Sequence, residues 1–166
     1  MRLLAAFLAL FVFTRPLAAQ PGAPFPEDQA FREATNFMAS YAEDLRHGNR
    51  TRIAARYSRN GAHFLGNGRS SFEPYAAIVA QYAGADWQSP WRFEWRNLSY
   101  LFPACPRHCD EAVVVAGQFL WTPREGAQPL VYSYTVLLSR EDGVLRIALE
   151  DESTAPGASP EGASHR

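Results

Sequence analysis

Apolar residues recur at helical spacing in the first half of the chain, whereas apolar and polar residues alternate in the second half. The helical spacing predicts three helices, over residues 28–46, 50–57 and 72–83. The first helix is expected to end at Gly48, because glycine readily takes the positive φ found at helix C-termini. The first half of the chain is therefore expected to be mainly helical.

Strand patterns dominate the rest of the chain. A short strand is predicted at residues 62–65, and four longer strands at residues 91–102, 112–122, 129–140 and 144–151. Helices followed by strands are typical of an α+β domain. We expect a curved, mixed but mostly antiparallel sheet wrapped over the three N-terminal helices. Such an arrangement leaves a pocket between the two layers, where a ligand or substrate would bind.

Residues 1–19 have the features of a signal peptide. Arg2 precedes an apolar run over residues 3–13, and Leu17-Ala18-Ala19 suits cleavage by signal peptidase. At about 1.5 Å per residue this run is too short to cross a hydrocarbon layer of about 30 Å, so no membrane span is expected after cleavage. We expect a periplasmic or secreted bacterial protein. Its parts would be a flexible leader at residues 20–27, one domain at 28–153 and a disordered tail at 154–166.

The charged residues narrow the range of partners and chemistries. All 16 basic residues are arginine, against 17 acidic residues, and they form no basic block. A nucleic-acid partner is therefore not expected. Without lysine the chain cannot form a Schiff base with pyridoxal phosphate or supply a phosphate-loop lysine. Motifs for a nucleophilic serine, a zinc protease or a dinucleotide are also absent, and we expect no cofactor.

Cys105 and Cys109 are the two cysteines of the chain. In an exported protein a disulfide between them is the first expectation, although so small a ring should stabilise by less than the typical ~2–4 kcal/mol. A metal site that includes His108 is the alternative, because thiolate and imidazole bind soft or borderline metals. The spacing matches no structural zinc pattern, so we expect a disulfide and no metal.

Three short motifs follow one another along the chain in a recognisable order. They are the helix junction from Arg46-His47-Gly48-Asn49 into Ile53-Ala54-Ala55-Arg56-Tyr57-Ser58, the segment from Tyr57 to Gly68 followed by Tyr75-Ala76-Ala77-Ile78, and the closing Gly143-Val144-Leu145-Arg146-Ile147 with Glu150-Asp151-Glu152-Ser153. Together they resemble the nuclear transport factor 2-like superfamily, which includes ketosteroid isomerases and SnoaL-like cyclases. The resemblance implies a cone-shaped sheet around a deep pocket, and it leaves the function open because the superfamily has many activities.

The resemblance also implies roles for particular positions. Tyr41 lies seven residues before Gly48, where ketosteroid isomerases have a tyrosine that donates to the developing oxyanion. The general base of those enzymes would fall near Leu65, which cannot accept a proton. Their third polar group, a protonated aspartate, would fall near Thr135. The resemblance therefore does not carry over the isomerase mechanism in its known form.

Other candidate groups come from the strand patterns. Alternation along the last predicted strand runs from Leu145 through Leu149 to Asp151, which would place Asp151 at the pocket floor as a general base. A strand-end carboxylate near solvent is the alternative. His63 lies on the first predicted strand, where the alternation does not determine which face of the sheet its side chain is on. The expected ligand-binding wall consists of Tyr57, Trp95, Tyr134 and Thr135.

Three functions from different classes remain open. The first is a pocket protein that binds a small apolar or aromatic molecule without catalysis. The second is a lyase, isomerase or cyclase with Asp151 or His63 as base and Tyr41 as donor, which requires these groups to converge on one cavity. The third is an interaction module that forms a homodimer through the outer face of the sheet. On that face we predict a solvated ladder of alternating charges at Arg92, Glu94 and Arg96.

Overall fold

The computed structural model of the protein describes residues 26–103 and 111–154. These residues form three helices and six strands, in the order α1 (Pro26–Arg46), α2 (Arg50–Ala55), β1 (Ala62–Gly66), β2 (Arg69–Glu73), α3 (Tyr75–Ala83), β3 (Arg92–Leu101), β4 (Ala112–Thr122), β5 (Leu130–Glu141) and β6 (Val144–Thr154). The predicted signal peptide, most of the leader, nearly all of the tail and the Cys105–Cys109 disulfide lie outside the described residues. No helix in the described part of the chain combines the length and the apolar character that crossing a membrane requires.

The six strands form one sheet in the order β2-β1-β6-β5-β4-β3. The contact between β1 and β6 is parallel, and the other four neighbouring pairs are antiparallel. The α+β class and the mixed, mostly antiparallel sheet are therefore confirmed. The four late strands are also confirmed. They could be predicted because each is a run of alternating apolar residues between turns.

The hairpin from β1 to β2 differs from the sequence prediction. The predicted third helix began at residue 72, but β2 continues to Glu73 and α3 begins only at Tyr75, after Pro74. The reason is that β2 is an edge strand with an almost wholly exposed surface, including a Phe72 side chain that is 51% exposed. Such a strand has no apolar alternation that could mark it in the sequence.

The core lies between the three helices and the inner face of the sheet. It is built by the apolar stripes of the helices and by alternate residues of the long strands. Its largest fully buried side chains are Met38, Ile53, Tyr57, Ile78, Val115, Phe119, Tyr134, Val136, Leu138 and Ile147. The interior that the structure describes is thus filled mainly by aromatic and branched aliphatic side chains.

The pairing of β5 with β6 contains one irregularity that determines which side chains reach this interior. Leu137 pairs with Leu149, but the next residue, Leu138, pairs with Ile147. Ala148 is therefore an extra residue on β6, as in a β-bulge. Because side chains alternate between faces with a period of two, the extra residue reverses the facing of everything that follows it on this strand.

Candidate functional site

One row of paired residues shows the effect of this bulge. Beyond it, Glu150 pairs with Val136 of β5 and with Phe64 of β1. Val136 is fully buried, and the Phe64 ring lies 5.5 Å from the ring of Tyr57 in the core. Glu150 therefore points into the interior, where the residue is only 3% exposed.

The predicted inward position of Asp151 is wrong. Asp151 pairs with Thr135 of β5 and Leu65 of β1, in the row next to that of Glu150, and adjacent residues of a strand face opposite sides. The expectation assumed unbroken alternation along β6, which Ala148 interrupts. Thr135 shares the outer side with Asp151, so the predicted position of Thr135 in the inner wall is also wrong.

Three tyrosine hydroxyls donate to the Glu150 carboxylate, and a fourth tyrosine hydroxyl contacts one of these three. Oε2 of Glu150 accepts from the Tyr57 hydroxyl at 2.6 Å. Oε1 accepts from the Tyr134 hydroxyl at 2.9 Å and from the Tyr41 hydroxyl at 3.4 Å. The Tyr82 hydroxyl lies 2.8 Å from that of Tyr57. We call these five residues the tyrosine–glutamate cluster.

The helices and the sheet each contribute to this cluster. Tyr41 lies on α1, Tyr82 on α3 and Tyr134 on β5, whereas Tyr57 follows α2 at an isolated parallel bridge to Ile147 of β6. The cluster therefore joins elements that are far apart in sequence. Its geometry depends on the packing of the whole domain, and no short motif could reveal it.

The hydrogen atoms of the cluster can be assigned without conflict. Each tyrosine has one hydroxyl hydrogen to donate. Tyr57, Tyr134 and Tyr41 can donate to Glu150, and Tyr82 can donate to the oxygen of Tyr57. All four hydrogens are then used, and the two carboxylate oxygens of Glu150 act as acceptors.

The cluster keeps its tyrosines protonated. Burial raises the pKa of Tyr41, Tyr57 and Tyr134 well above the ordinary value of 10.0, and the negative charge of Glu150 raises each of them further. All three hydroxyls are therefore hydrogen-bond donors at any physiological pH. In such a cluster the carboxylate can accept a hydrogen bond or a proton from a hydroxyl group of a ligand, and the tyrosine hydroxyls can donate to a carbonyl oxygen.

Aromatic rings form a wall beside the cluster. The ring of Trp95 lies 4.7 Å from the ring of Tyr134 and 6.0 Å from that of Tyr41. Its indole N–H donates to the backbone oxygen of Met38 at 2.9 Å, which fixes the ring against α1. Phe119 packs 5.8 Å from both Trp95 and Tyr134. Of these rings only that of Trp95 is partly exposed, so it is the one that a planar apolar group could meet first.

The structure brings together Tyr41, Tyr57, Trp95 and Tyr134 from the residues chosen on sequence grounds. It does not bring His63 to them: this residue is exposed, and its ring lies 5.1 Å from that of Phe72 on the β1–β2 hairpin. The required convergence of Tyr41 with Asp151 or His63 is therefore absent from the described residues.

The predicted charge ladder on β3 is confirmed. Nη2 of Arg92 lies 3.3 Å from Oε2 of Glu94, and Nε of Arg96 lies 3.5 Å from Oε1 of the same glutamate. All three side chains are more than one-third exposed. In such a position the contacts are screened by water and contribute little to stability.

Sequence reasoning missed Glu150 and Tyr82. The signal that could have found Glu150 is the need of buried tyrosine hydroxyls for an acceptor. Tyr41, Tyr57 and Tyr134 were all expected to face inward, and a nearby carboxylate could have been sought as their partner.

Comparison with known proteins gives the fold but no close relative. No protein-family model matches the chain, and no curated protein matches it. Among solved structures, a nuclear transport factor 2-like protein of unknown function from Shewanella oneidensis superposes with a TM-score of 0.58 at 12% identity, covering 74% of this chain and 98% of that chain.

Two further structures show the same architecture. Aln2 from a Streptomyces species gives a TM-score of 0.59 at 22% identity, with 80% of this chain and 94% of that chain covered. A candidate scytalone dehydratase from Novosphingobium aromaticivorans gives 0.58 at 11% identity, with 78% and 87% covered. At such identities the similarity extends to the fold alone.

Proposed function

The chain has the nuclear transport factor 2-like fold, and we propose that it binds a small ring-containing molecule at the tyrosine–glutamate cluster. The ligand would carry a hydroxyl or carbonyl group that takes part in the hydrogen bonds of the cluster, and its ring would pack on the aromatic wall. The observation that carries the proposal is the convergence of the Tyr41, Tyr57 and Tyr134 hydroxyls on one buried carboxylate.

Stability alone gives no reason for such a cluster. Taking a carboxylate out of water costs several kcal/mol, and buried ionic groups can often be replaced by well-packed apolar residues without loss of stability. Buried polar clusters with strongly shifted pKa values are instead common at functional sites. The cluster therefore supports a role in recognition.

Tyr41 is the member best placed to meet a ligand. Its hydroxyl lies 3.4 Å from Glu150 Oε1 and 3.3 Å from the Tyr57 oxygen, whereas Tyr57 and Tyr134 each approach Glu150 within 3.0 Å. Longer hydrogen bonds are weaker, so the Tyr41 hydroxyl can be redirected to a ligand at the smallest cost. Partly buried rings at the border of the core, including Trp95, offer the first contact surface.

A titration with 2-naphthol and naphthalene tests this proposal. The two probes have the same rings, but only the first has an oxygen that can accept a hydrogen bond from Tyr41. Followed by tryptophan fluorescence, the wild-type protein should bind 2-naphthol more tightly. Tyr41→Phe should weaken 2-naphthol about tenfold, the value of one good hydrogen bond, and leave naphthalene unchanged.

Tyr75→Phe is the matched control, because Tyr75 is a half-buried tyrosine outside the tyrosine–glutamate cluster. Its affinity for 2-naphthol should equal that of the wild type. Equal loss in both variants, or no binding of either probe to the wild type, would contradict the proposal.

A second candidate function is cofactor-free proton transfer, as in a lyase, isomerase or cyclase. It is favoured by the 3.4 Å distance between the Glu150 carboxylate and the Tyr41 hydroxyl, which pairs a possible base with an oxyanion donor. Exchange of the α-hydrogens of 2-tetralone for solvent deuterium is a direct assay. The wild type should accelerate it and Glu150→Gln should not; equal rates with and without protein would exclude this function for such ketones.

We also propose that the protein is exported and that it forms a homodimer. The signal-peptide pattern of residues 1–19 supports a periplasmic or secreted location, and the exposed outer sheet face supports a homodimer. Cell fractionation of the full chain and sedimentation of the cleaved protein test these points. Retention in the cytoplasm would contradict the first, and a monomer at high concentration would contradict the second.

A further inference from the structure

A second site lies along the flank of α1 next to that of Tyr41, where the guanidinium of Arg56 lies 5.5 Å from the centre of the Tyr41 ring. There, α1, α2 and the turn between β5 and β6 border a shallow, open cleft of about 520 Å³, which we call the arginine cleft. Neither Tyr41 nor Glu150 lines it. Its size is within the range of small-molecule sites, about 300–1,000 Å³. The cleft is separate from the tyrosine–glutamate cluster, and an inference about it does not depend on the function proposed above.

The lining of this cleft has an excess of positive charge. Four arginines face two carboxylates, which are those of Glu33 and Asp44. The four arginines are Arg52, Arg56, Arg140 and Arg146. Arginine stays charged at every physiological pH. The lining therefore holds two more arginines than carboxylates.

One of the two excess arginines is near Asp44, because a single carboxylate there contacts two arginines. Nε of Arg52 lies 3.0 Å from Oδ1 of Asp44, and Nε of Arg56 donates to Oδ2 at 2.8 Å. The Asp44 and Arg56 side chains are 4% and 11% exposed, so this pair is fixed in place. Arg52 is 64% exposed and can turn one edge of its guanidinium towards a ligand.

The other excess arginine is Arg146. Its Nη1 donates to the backbone oxygen of Ala55, at the end of α2. Its Nε is buried and has no hydrogen-bond partner in the described part of the chain. A buried guanidinium N–H without an acceptor is costly, and an oxyanion is the acceptor that arginine binds best.

The cleft also has an apolar surface. The guanidinium of Arg56 lies 5.1 Å from the centre of the Phe37 ring, and Val144 and Leu145 also line the cleft. A flat hydrocarbon group could pack on this surface while its anionic end faces the arginines. The charged and apolar parts of the cleft thus suit one amphipathic ligand.

We propose that this cleft binds a small organic oxyanion, a carboxylate or phosphate monoester on a planar apolar group. Arg146 and Arg52 supply the hydrogen bonds to the anion, and Arg56 keeps its contact with Asp44. The ligand neutralises the excess charge of the cleft and gives the buried Nε of Arg146 an acceptor.

Calorimetric titration at 150 mM salt, with 2-naphthoate, 2-naphthyl phosphate and the neutral 2-naphthamide as probes, tests this proposal. At least one anion should bind the wild type about tenfold more tightly than the amide, because a charge-assisted hydrogen bond is then available. The anion that binds more tightly identifies the group that the cleft prefers. Equal affinity for the amide and both anions, or no binding of either anion, would overturn the proposal.

Three variants assign the site. Arg146→Gln should weaken the preferred anion about tenfold and Arg52→Gln about fivefold, whereas Arg124→Gln, at an exposed position in the β4–β5 turn, should have no effect. Arg52→Gln keeps the test valid if Arg146→Gln does not fold, because Arg52 is largely exposed. An equal loss in Arg124→Gln would overturn the proposal, since it would mean general attraction to positive charge.

The two sites can be separated in the same experiment. Tyr41→Phe should leave the anion affinity unchanged, and Arg52→Gln should leave 2-naphthol affinity unchanged. Loss of the anion in Tyr41→Phe would contradict the separate location of the cleft. Failure of the interior site to bind 2-naphthol leaves the prediction for the anion intact.

Discussion

The tyrosine–glutamate cluster and the arginine cleft both contain carboxylates, but they balance charge differently. In the cluster, four neutral hydroxyls accompany one buried carboxylate, and every hydrogen has an acceptor. In the cleft, four permanent cations accompany two carboxylates, and one of them, Arg52, is 64% exposed. Neutral donors can be buried completely, whereas an excess of guanidinium groups must remain near water or meet an anion.

This difference predicts different losses of stability. Substitutions in the cluster should lower the free energy of unfolding as well as the affinity for 2-naphthol, because they leave buried polar groups without partners. Substitutions in the cleft should mainly change anion affinity, because water can replace most of what is lost there.

The largest effect is expected for Glu150→Ala. It removes the acceptor of three buried hydroxyls and leaves a cavity, so it should lower the free energy of unfolding by about 3–5 kcal/mol. Asp151→Ala, on the outer side of the same strand, should cost less than about 1 kcal/mol. Urea unfolding of both variants measures this; equal losses would contradict the assigned facing of β6.

The next effect concerns alkaline pH. Because burial raises the pKa of Tyr41, Tyr57 and Tyr134, the folded protein keeps three protons that the unfolded chain loses above about pH 10. Stability should be independent of these groups below that pH and should fall above it, by about 1 kcal/mol per tyrosine at pH 11. Urea midpoints between pH 8 and 11 check this, and Tyr134→Phe should make the decline less steep.

A smaller effect should distinguish the tyrosines from one another. Tyr57→Phe removes contacts of 2.6 Å to Glu150 and 2.8 Å to Tyr82, and should destabilise by about 2 kcal/mol. Tyr41→Phe removes only contacts of 3.3 and 3.4 Å, and should cost about 0.5 kcal/mol. Thermal unfolding compares the two variants. The reverse order would show that Tyr41 is not the loosely held donor.

The smallest effect is at the cleft. Hydrogen bonds from Arg140 and Gln29 lower the pKa of Glu33 below its ordinary value of 4.5. Its contribution to stability is therefore present above that pH and is lost as the pH falls through the lowered value. Since the side chain is 35% exposed, the loss should not exceed about 0.5 kcal/mol. Glu33→Gln should flatten the acid limb of the stability curve by that amount; a larger change would contradict the contrast between the two regions.

The fold was largely predictable because most of its elements have strong periodic patterns. The eleven residues of β4 alternate between the faces of the sheet over most of their length, and its bounds were predicted correctly. The strand β2 has no apolar face to mark it. Its exposed Phe72 was instead assigned to the following helix, because a single apolar residue fits either period.

The site was predictable only in part, for a geometric reason. Tyr41, Tyr57 and Tyr134 were found because inward tyrosines follow from helix and strand periods. Glu150 was missed because Ala148 shifts the alternation by one residue, and nothing in the sequence around it distinguishes a bulge from a regular strand. The arginines of the cleft come from three separate elements, and only the tertiary structure brings them together.

The most direct test of the account compares Glu150→Gln with Asp151→Asn in binding 2-naphthol. Both changes replace a carboxylate by an amide of the same shape, on adjacent residues that face opposite sides of β6. Glu150→Gln should lose at least tenfold in affinity, and Asp151→Asn should not change it. A loss confined to Asp151→Asn, or equal affinities in both variants, would contradict it.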